Sequence, residues 1–298
     1  RGLRAPDLLD AVRHARDSGT AERATWLERV PVERFFEVNA APVSGLGRAP
    51  MTILTLRDLS EVRRAERMRA DFVANASHEL RTPLASLLGF IETLQGSARD
   101  DKQAREKFLA IMREQAQRMA RLVDDLLSLS RIEQNLHLHP QSRVDMAAIL
   151  RHVADTLAPM AADNGTRVVL DLPVKAVVAG DRDELIQVAE NLVENAIKYG
   201  ASDPFCQDKQ VKVSLTAEGG QCVLAVRDFG PGIAAQHLPR LTERFYRADA
   251  GESRAKGGTG LGLAIVKHIV ARHRGRLDIK SKLGQGAVFS VTIPTYQS

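Results

Sequence analysis

Phe72-Val-Ala-Asn-Ala-Ser-His78-Glu79-Leu80-Arg81-Thr82-Pro83-Leu84 is the stretch on which the reading of this chain turns. As a helix it continues an apolar seam through Leu80, Leu84, Leu87, Ile91 and Leu94, with the alternating spacings of four and three found in bundles. At about 100° per residue, His78 falls roughly 150° from the centre of that seam, which turns its imidazole to solvent. From position alone it is an ordinary surface histidine. The helix is predicted from Ser60 to about Gln95, interrupted at Pro83, which lacks a backbone donor and should bend the chain just after His78.

Gly96-Ser-Ala-Arg-Asp-Asp makes a turn, and a second helix is predicted from Lys102 to Gln134 with Met112, Gln115, Met119, Leu122, Leu126 and Leu129 on one stripe. One hairpin would leave both stripes wet. Two copies bury them in a four-helix bundle, so a homodimer is expected. Leu136-His-Leu-His-Pro-Gln-Ser is a short linker; His137 and His139 lack the companions of a metal site.

Before this hairpin, Arg34-Phe-Phe-Glu-Val-Asn-Ala and Met51-Thr-Ile-Leu-Thr-Leu read as a strand pair separated by Gly45, Gly47 and Pro50. Two strands do not make a stable sheet alone, so residues 1–58 read as the last part of a larger module. Asp58 and Glu61 have the spacing of a capping box opening the long helix. After the hairpin, residues 143–298 mix helices and strands. Helices are predicted over Val144 to Ala162, after Asp181-Arg-Asp-Glu184 as far as Gly200, and from about Leu261 to Arg272. Strands are predicted over Thr166 to Leu172, Val174 to Val178, about 209 to 217, 221 to 228, and twice more near the end. On the helix after Asp181, Leu185, Val188, Ala189, Leu192 and Ala196 share one side, and Asn191, Asn195 and Lys198 another about 120° away.

The 298 residues are enough for about two or three domains, and 44% apolar content can bury sizeable cores. The net charge is +5, but the arginines are dispersed and aromatics make up 4%, so no nucleic-acid partner is expected. Cys206 and Cys222 have neither CxxC spacing nor the density of a disulfide framework, which favours a reducing, cytoplasmic compartment. No run of about eighteen apolar residues is present. The chain opens at Arg1 rather than Met, and the expectation is of a cytoplasmic portion whose preceding segment anchors it in the inner membrane.

His78-Glu-Leu-Arg-Thr-Pro-Leu84 resembles the phosphoacceptor box of bacterial sensor histidine kinases. Four further boxes of that family follow along the chain. Asn191-Leu-Val-Glu-Asn195-Ala-Ile-Lys198-Tyr199 is similar to the N box, Asp228-Phe-Gly230-Pro-Gly232 to the first glycine box, and Gly257-Gly258-Thr259-Gly260-Leu261-Gly262 to the second, with Arg244-Phe-Tyr-Arg247 resembling the F box. The wording from His78 through Ala-Ser-Leu-Leu-Gly-Phe-Ile-Glu-Thr-Leu is most similar to sensor kinases of the phosphate-regulon type.

The resemblance implies an α+β multidomain chain with three parts. Residues 1–58 would be the C-terminal part of a PAS-like sensor domain, and 59–138 the dimeric antiparallel helical hairpin for dimerisation and phosphotransfer. Residues 143–298 would be an α/β sandwich ATP-binding domain of the kind shared with gyrase and chaperone ATPases. It implies ATP and Mg²⁺ as cofactors and a response-regulator receiver domain as partner. His78 would be the phosphoacceptor and Glu79 its base. Thr82, one turn on, would act in phosphatase chemistry on the regulator. Asn195 would give an oxygen to Mg²⁺, a hard cation shared with phosphates. Asn191 and Lys198 would approach the phosphates, Tyr199 would line the nucleotide site, and Asp228 would accept from the adenine amino group. Gly230 and Gly232 would let backbone near the ring, and Arg247, Gly258, Thr259, Gly260, Leu261 and Gly262 would hold the triphosphate. Ala248 to Lys256 has the composition of a mobile lid. Ala287 stands where the family often has threonine, which puts one polar contact in doubt.

Other readings fail on the residues. Asp-Phe-Gly also occurs in eukaryotic-type kinases, but His-Arg-Asp and Val-Ala-Ile-Lys are absent. Leu263 stands where a P-loop needs lysine, and no complete GxGxxG is present. The alternative from another class is a signalling scaffold that binds ATP without phosphorylating itself. His78, Asn195, Asp228 and the second glycine box are all intact, which favours the kinase.

Overall fold

The computed structural model describes residues 6–28, 33–43, 51–200, 209–249, 251 and 257–296. Gly45, Gly47, Pro50, Cys206 and most of the segment from Ala248 to Lys256 lie outside these. Two compact units result, Arg1–Glu79 and Leu80–Ser298.

In the first unit, β2 (Arg34–Val43) pairs antiparallel with β3 (Met51–Asp58), Ala40 opposite Leu54. Two elements are added to that expected pair. Strand β1 (Glu22–Glu28) lies along the other edge of β2, and helix α1 (Pro6–Ser18) covers one face, laying Leu8, Ala11 and Ala15 on Val38 and Ala40. Trp26 and Phe36, cross-strand partners, stack with centroids 5.1 Å apart. Both elements escaped the sequence reading for physical reasons. β1 is a charged edge strand with little alternation, and the buried stripe of α1 is mostly alanine, whose burial signal is weak.

Helix α2 (Ser60–Gln95) starts against this sheet. Leu59 donates its amide to the Phe35 carbonyl (2.7 Å), and Ser60 Oγ accepts from the Phe35 amide (2.8 Å). Asp58 accepts from the Ser60 amide at 2.8 Å. The Ser60 hydroxyl first, and this amide second, hold its carboxyl below the usual range. Glu61 does not reach back to complete the expected capping box; it pairs with Arg64 at 2.8 Å. A second correction concerns Pro83. The helix runs unbroken through it, because a proline removes only one bond, here the one to the Glu79 carbonyl, and its ring is buried.

In the second unit, the rest of α2 turns into α3 (Lys102–Gln134), whose Asp101 N-cap accepts from the Ala104 amide at 2.9 Å. Phe90 and Phe108 stack across the hairpin at 5.2 Å. Leu84, Leu88, Leu109 and Leu127 are about half exposed, the wet stripe that a second hairpin would cover. Leu122 and Leu129, expected in the bundle seam, are already buried in the single chain, whose α3 packs on α6 (Gly262–Arg272).

The remainder is a five-stranded sheet in the order β5 (Arg167–Asp171), β7 (Gln210–Glu218), β8 (Gln221–Asp228), β10 (Ala287–Pro294), β9 (Arg276–Ser281). β5 and β7 are parallel and the other neighbours antiparallel. Helices α4 (Met146–Asp163), α5 (Arg182–Gly200) and α6 pack with it. The helix expected from Val144 begins at Met146, because Arg143–Asp145 forms a strand, β4, paired with β6 (Val177–Ala179). Asp145 fixes that junction by accepting from the amides of Ala147 and Ala176, both at 3.1 Å. The strand predicted from Val174 therefore starts three residues late. Buried Cys222 has its thiol pushed up to about 11. Among the described residues no helix is long and apolar enough to cross a membrane.

A polar knot around the buried His273 joins α3, α5 and α6. Asp181 caps α5 through the amides of Asp183 (3.0 Å) and Glu184 (3.2 Å). His273 Nε2 accepts from the Asp181 amide at 3.0 Å, while its Nδ1 donates to the Ile269 carbonyl at 2.8 Å, so the ring is neutral. Arg272 pairs with Glu184 and donates to the carbonyls of Asn135 (3.2 Å) and Leu138 (2.9 Å), and its own carbonyl meets His139 Nδ1 at 2.9 Å.

Burial lowers the pKa of His273. The unfolded chain takes up this proton near pH 6.5 and the folded chain only below that, so the contribution to stability is present above about pH 6.5 and lost as pH falls through the folded value. The urea midpoint should therefore drop from about pH 7 to about pH 5.5 more for the parent than for His273→Gln, which keeps an acceptor for Asp181. The slope difference should approach 1.4 kcal/mol per pH unit at most, at about one proton. Parallel curves would remove His273 from the acid response.

Candidate nucleotide site

The period of 3.6 that buries Leu185, Val188, Ala189, Leu192 and Ala196 of α5 carries Asn191, Asn195, Lys198 and Tyr199 to a cavity of about 490 Å³. On β8 the period of two that buries Cys222, Leu224 and Val226 also turns Asp228 inward, leaving a carboxylate 6% exposed at the strand's end. Asp228 Oδ1 accepts from the amides of Gly230 (3.0 Å) and Ala287 (3.2 Å). That leaves its other oxygen as the acceptor a ligand could use. Burial raises its pKa against those two bonds. Ala287, the departure from threonine, thus contributes its backbone amide here.

The glycines shape the wall. Gly232 has φ +72°, and a Cβ there would collide with the Lys282 carbonyl. The loop Gly257–Gly262 leads into the start of α6, where amides point outward along the helix dipole. Phe245, itself at φ 62°, donates its amide to the Gly260 carbonyl at 2.7 Å, and Arg247 Nη2 donates to the Gly258 carbonyl at 2.9 Å. Lys198 pairs with Glu194 at 2.5 Å. Tyr246 accepts or donates across 2.6 Å to His237 Nδ1 with Arg240 over its ring.

The cavity wall thus gathers Asn191, Asn195, Lys198, Tyr199, Asp228, Gly232, Arg247, Gly258, Thr259, Gly260 and Gly262. Two residues named from the sequence fall outside it. Gly230 is packed on Tyr199 and Gly200 and serves Asp228 through its amide, and Leu261 is fully buried, its amide donating to Thr259 Oγ1 at 3.2 Å. His78 and Glu79 close the first compact unit, His78 exposed and Glu79 half-buried; Thr82, in the second, is exposed on α2. Residues of α3 were missed altogether. Arg121, Asp124 and Asp125 line the cavity, and Asp125 accepts from Thr259 Oγ1 at 2.7 Å. No local pattern announces a contact across 134 positions.

The chemistry offered is an apolar-walled slot with one buried carboxylate acceptor, amide oxygens on one helix stripe, cationic side chains and a glycine loop at a helix start. These donor types suit a purine, phosphates and a hard cation.

Residues 68–135 match the family model described as the His Kinase A (phospho-acceptor) domain. Residues 180–297 match the histidine kinase-, DNA gyrase B-, and HSP90-like ATPase model. The chain is 39% identical over 238 residues to the phosphate regulon sensor protein PhoR of Pseudomonas aeruginosa, covering 80% of this chain and 53% of that protein. It is 37% identical over 243 residues to the sensor protein kinase WalK of Staphylococcus epidermidis, covering 81% and 39%. The chain therefore spans about half or less of these relatives' lengths. Among solved structures, the Acinetobacter baumannii histidine kinase AdeS superposes with a TM-score of 0.57 at 26% identity, over 74% of this chain and 98% of that one. Full-length ShkA in complex with AMPPNP gives 0.55 at 27%, over 77% and 46%.

Proposed function

Because the chain belongs to the sensor histidine kinases, of the phosphate-regulon sensor type, we propose that it transfers the γ-phosphoryl group of ATP to His78 and then to an aspartate of a response-regulator receiver domain. The observation that carries this reading is the convergence of the Asn191, Asn195 and Lys198 stripe, Asp228 and the glycine loop on a single cavity. In this reading Asp228 accepts from the adenine amino group, and Tyr199 and Gly232 flank the ring. Asn191, Lys198, Arg247 and the loop Gly258–Gly262 hold the phosphates, and the Asn195 carbonyl oxygen holds Mg²⁺. Such transfers rest on positioning and charge neutralisation. One imidazole nitrogen of His78 attacks phosphorus as ADP leaves, and Glu79 takes up the proton from the other.

The reading extends to the chain's organisation. Residues 1–58 are the end of a PAS-like sensor domain, 59–138 the hairpin that dimerises through its half-exposed leucines, and 143–298 the ATP domain. The protein acts in the cytoplasm. The test is incubation with γ-labelled ATP and Mg²⁺. Acid-labile, alkali-stable label on the chain is expected; nucleotide binding without such label would favour the scaffold.

Thr82 stands one turn after His78 on an exposed face of α2, where a docked regulator would meet it. Its hydroxyl could hold a water in line with an aspartyl phosphate. Thr82→Ala should autophosphorylate normally yet lose on the order of tenfold or more of the parent's ability to speed decay of a phosphorylated cognate regulator. Equal decay with variant and parent would remove the role.

A further inference from the structure

Helix α3 reaches the cavity through Arg121, Asp124 and Asp125. Asp125 Oδ2 accepts from Thr259 Oγ1 at 2.7 Å, and that hydroxyl oxygen also accepts from the Leu261 amide at 3.2 Å, so the carboxylate is tied into the glycine loop itself. Nearby, Arg121 stands 4.0 Å from Glu194, and its guanidinium would meet a Cβ placed on Gly257 at 3.0 Å. One turn on, Ser128 donates to Gln187 of α5 at 2.8 Å. Burial raises the pKa of Asp125, and Glu194 and Asp124 add to this against the Thr259 bond and Arg121. Negative charge is therefore already disfavoured at this spot.

We propose that Asp125 makes the seat of α3 on the ATP domain sensitive to the charge of the bound nucleotide. This rests on the reading of the cavity as an ATP site. Phosphates held by the loop compete for the Thr259 hydroxyl and repel the Asp125 carboxylate, so a polyphosphate breaks this contact and loosens α3, and an uncharged nucleoside does not. Coupling of this kind is reciprocal. If bound ATP weakens the Asp125 contact, removing the Asp125 charge strengthens ATP binding by the part of that coupling which the charge carries.

Asp125→Asn separates the charge from the hydrogen bond, because its amide oxygen still accepts from Thr259. Calorimetric titration of the full chain with ATP, ADP and adenosine should show ATP binding tightened on the order of fivefold in the variant, ADP less, and adenosine not at all. In the parent, ATP but not adenosine should speed amide hydrogen exchange over residues 121–133. An equal change for all three ligands, no change, or weaker ATP binding in the variant overturns the proposal. So does exchange in the parent that ATP leaves unaltered or slows. A parent chain that binds none of the three overturns the ATP reading itself, and this proposal with it.

Discussion

Replacing His78 by alanine is expected to abolish phosphorylation from γ-labelled ATP while leaving ATP affinity nearly unchanged. The imidazole is exposed, so its loss costs little packing, and the cavity is built from α3, α5, β8, β10 and the loops between them. Loss should reach the detection limit, on the order of 10³-fold or more, since removing the group that forms the covalent bond removes the reaction. Normal labelling of His78→Ala would move the acceptor elsewhere. Loss of ATP binding along with labelling would mean that the histidine serves the nucleotide rather than receiving its phosphate.

Asp228→Ala is expected to have the next largest effect. It removes the acceptor offered to the ligand and also strands the amides of Gly230 and Ala287, which the carboxylate now satisfies in a buried place. A charge-assisted bond to the ligand plus the loosened loop should weaken ATP binding by about 100-fold, near 2.7 kcal/mol. Asp228→Asn keeps an oxygen for both amides and should recover part of that. Its stability should move oppositely. The folded pKa of Asp228 is raised by burial, so its favourable contribution is present below about pH 3.9 and lost as pH rises through the folded value. At neutral pH the asparagine variant should unfold at higher urea than the parent. Tight ATP binding by Asp228→Ala would place the adenine elsewhere.

What could be read from the sequence was whatever a local period encodes. Helix α3 was expected from Lys102 to Gln134 and spans those residues, because Asp101, an N-cap, and a three-and-four apolar spacing both act within a few positions. The two stripes of α5 were legible for the same reason. Strand β4 was not, since three residues carry no period and its register depends on β6 and on Asp145 reaching Ala176. Helix α1 was hidden by alanine. The Asp125–Thr259 contact follows from how α3 packs on α6, and neither residue's neighbours hint at the other. Pro83 misled because a rule about broken helices concerns one lost bond, which a long helix with a buried proline survives.

Arg272 sets the length of a leash. It staples the backbone at Asn135 and Leu138 to the end of α6, its carbonyl meets His139, and β4 begins at Arg143. Ser142 is held too, its carbonyl accepting from the Gly180 amide at 2.8 Å, so only Pro140 and Gln141 are left as slack. That is about 7 Å at full extension; with the staple open, the stretch from 136 to 141 reaches about 20 Å. On so short a tether the ATP domain stays at a local concentration on the order of millimolar around its own helical stem. Whether α3 is seated or free is then decided by side chains such as Asp125, and diluting the protein does not alter it.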